Sequence, residues 1–232
     1  MNRKKVFLLP YAGGSSIVYY KLTKLLSDDL EAVSVELAGR GMRINESLYH
    51  NIDEAAEDIA EFIGENIEDS QYGIFGHSMG ALLAFEVYYK LKERKVPLPG
   101  HIFFSGRSAP HIKHRRIYVE RYSDHLFLDL VSLYGGLPKE MYDDQIKEKF
   151  LPILRADFKM IDEYEYIDKM IKIHCDISVL YGEKDFSVDN KAVEEWDKHT
   201  NGKAHIYCFP GNHFYLNDEY DNIAKIIKDT II

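Results

Sequence analysis

Short apolar runs alternate with longer segments of helical periodicity along most of the chain. The runs are rich in Val, Ile, Phe and Tyr and are bounded by turn residues, which is typical of buried β-strands. The longer segments repeat apolar residues at the spacing of one helix face. This alternation predicts an α/β fold, with a mostly parallel central sheet and helices on both of its faces. The predicted strands are Val6–Leu9, Ala32–Val35, Tyr72–Phe75, His101–Phe104, Ile177–Tyr181 and Ile206–Phe209, and the predicted helices are Ser16–Leu26, Asp53–Ile67, Met79–Arg94, Lys191–His199 and Tyr220–Ile227.

One long stretch interrupts the alternation. About seventy residues without a strand pattern separate the fourth predicted strand from the fifth, far more than an ordinary connection. They contain three amphipathic helical segments, Ser123–Tyr134, Asp143–Phe150 and Ile153–Tyr166. We predict a single domain over residues 1–232 with a helical lid insertion at about 110–170. Open α/β folds place their sites at the carboxyl edge of the sheet, where a lid would lie; a packed subdomain without gating is the alternative.

The apolar residues of the first insertion helix have two interpretations. They include Phe127, Leu130, Val131, Leu133 and Tyr134. If they line a channel to the site, a bulkier residue at Leu133 should change the preference among substrates of different length. If they pack on the body of the protein, that preference should not change.

Charge and cysteine content narrow the function classes. The chain has 232 residues and a formal net charge of -9, which argues against a nucleic-acid partner. The first apolar run ends at Pro10, too short for a signal-peptide core, and no run reaches the length of a membrane span. Cys175 and Cys208 lack metal-ligand spacing; a disulfide between them stays open, although free thiols suit a cytoplasmic protein. We expect a cytoplasmic monomer without a membrane partner.

The segment Gly76-His77-Ser78-Met79-Gly80 lies between a predicted strand and a predicted helix. It matches G-x-S-x-G, the strained turn that exposes a serine Oγ in α/β-hydrolases. Small residues are needed there because larger side chains would clash in so tight a turn. The following helix N-terminus also favours negative charge that develops beside Ser78. This context predicts the α/β-hydrolase fold with Ser78 as nucleophile, the alternative being a glycine-rich turn with an incidental serine.

A serine hydroxyl needs an adjacent base, and position selects that base among ten histidines. His213, in Gly211-Asn212-His213-Phe214, directly follows the last predicted strand. It also satisfies the chain order of serine, acid and histidine in this fold. His77 lies in the turn itself, but its neighbouring position directs it away from the site of attack. We therefore predict His213 as the base and interpret the remaining histidines as surface, strand-edge or insertion residues.

The acid of the triad should follow a strand between the serine and the histidine. The loop after the fourth predicted strand, Ser105–Ala109, contains no carboxylate. The loop after the fifth is Gly182-Glu183-Lys184-Asp185. We select Asp185 to orient the histidine and stabilise its charged form, with Glu183 and Asp189 as alternatives.

Two backbone N–H groups should form an oxyanion hole. One donor is Met79, which follows the nucleophile. The other belongs to the loop after the first strand, Pro10–Ser16, whose paired glycines allow close approach to a ligand. Ala12 is the expected donor there, unless the loop is only a glycine-rich strand-to-helix turn.

These segments resemble the type II thioesterases, the stand-alone editing enzymes of non-ribosomal peptide and polyketide synthetases. The resemblance covers essentially the whole chain in the right order and includes two segments similar to that family's lid. One departure is Ala38, where the family often has Pro before its Gly-Arg-Gly turn. The segments that carry the resemblance are Pro10-Tyr11-Ala12-Gly13-Gly14, Gly39-Arg40-Gly41, the Ser78 turn, Gly182 with Asp185, Gly211-Asn212-His213-Phe214, Tyr134-Gly135-Gly136-Leu137-Pro138 and Leu151-Pro152-Ile153-Leu154-Arg155-Ala156-Asp157.

The resemblance implies a triad of Ser78, Asp185 and His213, with Ala12 and Met79 as oxyanion donors. It implies hydrolysis of acyl or aminoacyl groups misattached to the phosphopantetheine arm of acyl- or peptidyl-carrier domains. No metal and no cofactor are expected, because the phosphopantetheine belongs to the substrate. Two alternatives remain: an esterase or lipase for small esters, and a non-catalytic binding module on a hydrolase scaffold.

A basic run at the start of the insertion is a candidate docking site for the carrier. Carrier domains are commonly acidic and so is this chain, so attraction requires a local basic patch. Lys113, Arg115 and Arg116 form the densest run, with Arg107 and Arg121 nearby. We predict that Lys113, Arg115 and Arg116 contact the carrier or its phosphate, the alternative being an ordinary solvated loop.

Overall fold

A six-stranded parallel sheet forms the centre of the protein. In the computed structural model, residues 3–67, 72–113, 116–137 and 139–232 are described, apart from the side chains of Lys139 and Asn190. Every pairing between neighbouring strands is parallel, in the order β2-β1-β3-β4-β5-β6. The sheet is thus entirely parallel where the sequence predicted a mostly parallel one. The strands are β1 (Lys5–Leu9), β2 (Glu31–Ser34), β3 (Tyr72–His77), β4 (His101–Ser105), β5 (Ile177–Gly182) and β6 (Ala204–Phe209).

Both faces of the sheet are buried, which explains why its central strands read as continuous apolar runs. In β1, Phe7 and Leu9 belong to the core on one face. Val6 and Leu8 alternate with them and belong to the core on the other face. All four side chains are fully buried, as the two-residue period of a strand requires when helices cover both sides.

Helices cover the two faces as predicted. Residues of α2 and α3 share one core with the sheet, and residues of α1 and α7 share the other. The start of α2 is set by Asn51, whose side chain accepts a hydrogen bond from the Glu54 N–H at 2.8 Å. None of the helices in the described part of the chain is long and apolar enough to cross a membrane. The helices are α1 (Tyr20–Leu26), α2 (Ile52–Asn66), α3 (Met79–Glu93), α4 (Asp124–Ser132), α5 (Asp144–Glu163), α6 (Asn190–Glu194) and α7 (Leu216–Ile231).

The strand order creates a crevice between β1 and β3. The chain passes from β1 outward to β2 on one side, and then returns to build β3 to β6 on the other. Connections that diverge from adjacent strands leave a gap at the carboxyl edge, where ligands bind in open α/β sheets. The loop after β1 and the turn after β3 flank this gap, and these carry Ala12 and Ser78.

The insertion between β4 and β5 contains α4 and α5, with a small core of its own. The sequence predicted a break near Pro152, but α5 runs through this residue as one helix. Proline removes only one N–H, and apolar residues of α5 pack against α4 on both sides of it, so packing outweighs the local cost. The insertion core contains Val119, Phe127, Leu128, Val131, Leu151 and Leu154.

Three other expectations about elements need correction. The predicted helix Lys191–His199 is divided into α6 and a 3-10 turn at Glu195–His199. The first predicted helix is split into a 3-10 turn at Ser16–Tyr19 and α1. The last helix is longer than predicted and begins at Leu216, with non-helical backbone at Glu219. Leu133, expected to line a channel or pack on the body, is 65% exposed.

Candidate active site

The turn between β3 and α3 holds Ser78 in a strained conformation. Its backbone has φ 56° and ψ -112°, a conformation that residues other than glycine rarely adopt. The Ser78 N–H donates to the Ser105 carbonyl at 2.7 Å, which ties the turn to the end of β4. A Cβ on Gly80 would lie 2.1 Å from the Leu9 carbonyl oxygen, so only glycine lets α3 start this close to β1. The Ser78 hydroxyl makes no hydrogen bond with any described residue and lies at the cavity.

Asp185 and His213 form a buried pair at the same edge of the sheet. His213 Nδ1 lies 2.7 Å from Asp185 Oδ2, and both residues are at most 4% exposed. A carboxylate can only accept, so the proton of a neutral His213 resides on Nδ1 and Nε2 is left as the basic nitrogen. This is the tautomer that a serine hydrolase needs.

Ser187 supports the carboxylate and was missed by the sequence analysis. Its N–H and its Oγ donate to Asp185 Oδ1 at 2.9 and 2.6 Å. Burial raises the pKa of Asp185, but hydrogen bonds with His213 and Ser187 outweigh this effect and the pKa lies below its usual value. Asp185 therefore stays ionised beside His213.

The other two candidate acids have different contacts. Glu183 has a half-exposed side chain 3.5 Å from Lys184 Nζ. Asp189 borders the cavity, but its side chain caps α6 by accepting from the Lys191 N–H at 3.0 Å. Only Asp185 of these three is hydrogen-bonded to His213 in the described part of the chain.

His77 is fully buried, and the centroid of its ring lies 5.0 Å from that of His213. His77 Nδ1 lies 2.8 Å from Ser105 Oγ, which in turn lies 2.6 Å from the Tyr215 hydroxyl. Burial first, and the neighbouring His213 second, lower the pKa of His77 well below its ordinary value. His77 is therefore neutral and acts as packing between β3, β4 and the His213 loop.

Ser78 and His213 border one cavity of about 400 Å³. The insertion forms one wall of it through residues of α4, α5 and the segment between them. Tyr134 from that segment packs edge-on against His213, with ring centroids 5.2 Å apart. The wall is mainly apolar, as in most small-molecule sites. It includes Tyr11, Ala12, Ala109, Pro110, Ile112, Ile117, Val131, Tyr134, Phe158, Ile161, Phe186, Ala192 and Phe214.

Of the two expected oxyanion donors, one lies in the loop after β1 and the other directly follows Ser78. Neither the Ala12 N–H nor the Met79 N–H donates a hydrogen bond to another described residue, whereas the next N–H in the loop, that of Gly13, donates to Asp157 at 2.7 Å. Ala12 also borders the cavity directly. The arrangement can therefore present two free N–H groups to an oxygen bound beside Ser78.

Comparison with known proteins agrees with this geometry. The model of the family described as "Thioesterase domain" matches residues 4–231. The chain belongs to the thioesterase family. It is therefore a hydrolase, and the predicted family and fold class are confirmed.

Individual relatives of this thioesterase match it over nearly its whole length. Thioesterase PikA5 of Streptomyces venezuelae is 31% identical over 229 residues, which are 98% of this chain and 81% of PikA5. The medium-chain S-acyl fatty acid synthase thioesterase of Rattus norvegicus is 35% identical over 231 residues, 95% of this chain and 85% of the relative. The solved structure of ClbQ from the colibactin NRPS/PKS pathway has a TM-score of 0.93 at 28% identity and covers 100% of this chain and 97% of ClbQ.

Among the basic residues named for carrier docking, Lys113 and Arg116 are described and border different cavities. Lys113 is exposed and borders the cavity. The Arg116 guanidinium lies 3.6 Å from the carboxylate of Glu165, which follows α5, and Arg116 borders a neighbouring groove. Arg115 lies outside the described residues. Arg107 belongs to the cavity wall, not to an outer surface.

In the described part of the chain, no group of three or more His, Cys, Asp and Glu side chains is arranged to hold a metal ion.

Besides Ser187, the sequence analysis missed Ser105 and Tyr215. No local pattern marks them, because their contacts join β4 to the loop after β6.

Proposed function

We propose that this thioesterase hydrolyses acyl or aminoacyl thioesters on the phosphopantetheine arm of carrier domains, to regenerate misprimed synthetases. The observation that carries the proposal is the Asp185–His213 pair beside the same apolar cavity as Ser78. The cavity of about 400 Å³ lies at the lower end of ligand-site volumes, which favours short and medium acyl groups. Similar proteins named for NRPS/PKS pathways and for fatty acid synthase support a carrier-bound substrate.

The proposed reaction has two halves. Ser78 Oγ attacks the thioester carbonyl while His213 Nε2 takes its proton, and the oxyanion is held by the Ala12 and Met79 N–H groups. The C–S bond then breaks, His213 returns the proton to the pantetheine thiolate, and an acyl-enzyme remains. Water activated by His213 releases the free acid and restores Ser78. These steps require neither a metal nor a cofactor of the enzyme.

The partner of the reaction is proposed to dock beside Lys113. This ammonium group is exposed at the cavity, where the phosphate of a pantetheine arm would enter. Arg116, and Arg115 outside the described residues, are proposed to extend this contact. Free Cys175 and Cys208 support a cytoplasmic location, where such synthetases and their carriers occur.

Turnover of a matched pair of substrates tests the function. The purified protein is given an acyl-loaded carrier domain and the corresponding small oxyester, and release of the free acid is measured. We expect kcat/KM to be higher for the carrier thioester. A preference for the oxyester would favour the small-ester esterase, and no turnover with either substrate would favour the non-catalytic module.

Ser78→Ala tests the nucleophile in the same assay. Because triad residues act as a unit, kcat should fall by roughly a thousandfold or more, and labelling by a fluorophosphonate should be lost. Ser108→Ala, another serine of the cavity wall, is the control and should keep both properties. Near-normal turnover by Ser78→Ala would remove Ser78 from the mechanism.

A further inference from the structure

A buried ion pair joins the insertion to the loop that carries Ala12. Arg40 Nη1 and Nη2 donate to Asp157 Oδ2 and Oδ1 at 2.6 and 2.7 Å. Arg40 follows Gly39 after β2, and Asp157 lies on α5. Arg40 is 2% exposed and Asp157 is fully buried, so neither is available to a substrate.

The same carboxylate also holds the Ala12 loop directly. Asp157 Oδ2 accepts from the Gly13 N–H at 2.7 Å, and Arg40 Nη1 donates to the Gly14 carbonyl at 3.2 Å. On the other side of Ala12, the Tyr11 carbonyl accepts from the Gly14 N–H at 2.9 Å. Both neighbours of Ala12 are therefore fixed by hydrogen bonds, while the Ala12 N–H itself donates to no residue in the described part of the chain.

Side chains of helix α5 also pack against this loop. Gly13 has φ 77°, and a Cβ there would lie 2.7 Å from both Leu154 Cδ1 and Phe150 Cζ. Leu154 belongs to the insertion core and Phe150 packs against it, and residues of α4 are part of the same core. The position of the Ala12 loop thus depends on where α5 lies.

Stability alone does not account for the pair. Replacing a buried ion pair by well-packed apolar residues is often neutral or stabilising, because desolvation offsets the attraction. A fixed N–H, in contrast, matters to catalysis, since oxyanion donors act only when they are already aimed at the developing charge.

We propose that Arg40 and Asp157 are positioning residues, which aim the Ala12 N–H at the oxyanion and make the reaction depend on the docking of α5. The proposal rests on the serine mechanism above. It assigns the hydrogen bond from the Gly13 N–H to Asp157 a role in transition-state stabilisation, not in substrate binding.

Two single variants and one double variant test the proposal. Asp157→Asn removes the charge that orders Arg40 and Gly13, and kcat should fall by about ten- to a hundredfold with KM nearly unchanged, somewhat less than for loss of a donor. Arg40→Lys keeps Asp157 paired and should retain most of the activity. Arg40→Met with Asp157→Leu should recover the wild-type melting temperature but not kcat.

Inhibitor binding separates positioning from a structural role. A trifluoromethyl ketone analogue of the acyl group forms an oxyanion on Ser78, whereas an alkyl-pantetheine thioether, which has no carbonyl to attack, binds without one. In Asp157→Asn, the ketone affinity should fall by the same factor as kcat and the thioether affinity should stay within about twofold. Asp124→Asn is the matched control, because its pair with Arg155 at 2.8 Å joins α4 to α5 without contacting the Ala12 loop.

The outcomes are distinct. If the double variant recovers kcat together with its melting temperature, or if both ligands weaken equally in Asp157→Asn, the pair is only structural and the proposal is wrong. If Asp157→Asn does not fold, kcat and the melting temperature of the double variant are compared with those of Arg40→Lys. Recovery of both quantities in the double variant would again make the pair only structural. A wild-type protein that is not inhibited by the ketone would instead contradict the proposed function.

Discussion

At the residue scale, the Asp185–His213 contact identifies which of the candidate carboxylates is the acid of the triad. Three carboxylates follow β5 within seven positions of the chain, Glu183 to Asp189. Only one of them is hydrogen-bonded to the histidine, at 2.7 Å. The orientation of His213 should therefore depend on Asp185 and very little on Asp189.

This dependence gives a prediction for two amide variants. Asp185→Asn should lower kcat by roughly a thousandfold or more, because an amide nitrogen facing Nδ1 selects the tautomer with the proton on Nε2. Asp189→Asn should keep kcat, since an amide oxygen can still cap α6. Steady-state kinetics on one small thioester measures both, and a mild Asp185→Asn with a crippled Asp189→Asn would reverse the assignment.

The residues that the sequence identified share a feature that those it missed lack. Ser78 and His213 lie in recognisable turns directly after strands, so their neighbours in the chain define their roles. Arg40 and Asp157 lie in two of the segments that carry the family resemblance, but their contact joins residues 117 positions apart. Ser187 likewise acquires its role only through the fold. Local patterns cannot predict such pairs, because nothing near either residue specifies the partner.

At the element scale, the periodicity of apolar residues predicts helix α4 but does not predict which of its faces is turned toward the cavity. The apolar residues expected on one channel-lining face are divided among several environments. Val131 is buried and borders the cavity, Phe127 is fully buried in the insertion core, and Leu133 is largely exposed. The pattern predicted the helix correctly, but the packing of α4 on α5 decides which side chains reach the cavity.

Acyl-chain preference should therefore respond to Val131 and not to Leu133. Val131→Phe fills part of the cavity and should shift the preference toward shorter acyl groups, since a pocket discriminates by about 1–3 kcal/mol per methylene. Leu133→Phe adds a similar bulk in solvent and should leave the profile unchanged. A panel of acyl-pantetheine thioesters of increasing length measures kcat/KM for both. A shift caused by Leu133→Phe alone would place the acyl group on the outer side of α4.

At the scale of the whole molecule, the parallel sheet buries histidines as well as apolar residues. His101 at the start of β4 is 6% exposed, and its Nε2 lies 2.8 Å from Ser178 Oγ. Burial first, then repulsion from His205, lowers the pKa of His101 to about 4, although Asp176 acts in the opposite direction. The pKa of His199 is also lowered to about 4 by burial and by His111.

Stability should consequently fall in mild acid. The unfolded chain takes up protons on these histidines near pH 6.5 and the folded chain only near pH 4, so stability is lost as the pH falls through this window. His101 alone can contribute at most about 3 kcal/mol across it. The melting temperature measured from pH 7 to pH 4.5 should decline, and His101→Gln should flatten the decline. An equally steep decline in that variant would assign the effect to other groups.

The order of the strands was not evident from the sequence, and it has a consequence for folding. Ser78, Asp185 and His213 follow three different strands, and the Ala12 loop is held by a hydrogen bond between residues 144 positions apart. Contacts at such separations form late, because the chain must lose the entropy of large loops before they can stabilise it. A refolding chain should thus have helices and most of its sheet well before it has a reactive serine. The rate at which Ser78 becomes reactive toward a covalent inhibitor during refolding would therefore report the last step of folding. Chains that do not complete this step would be compact but would not react with the inhibitor.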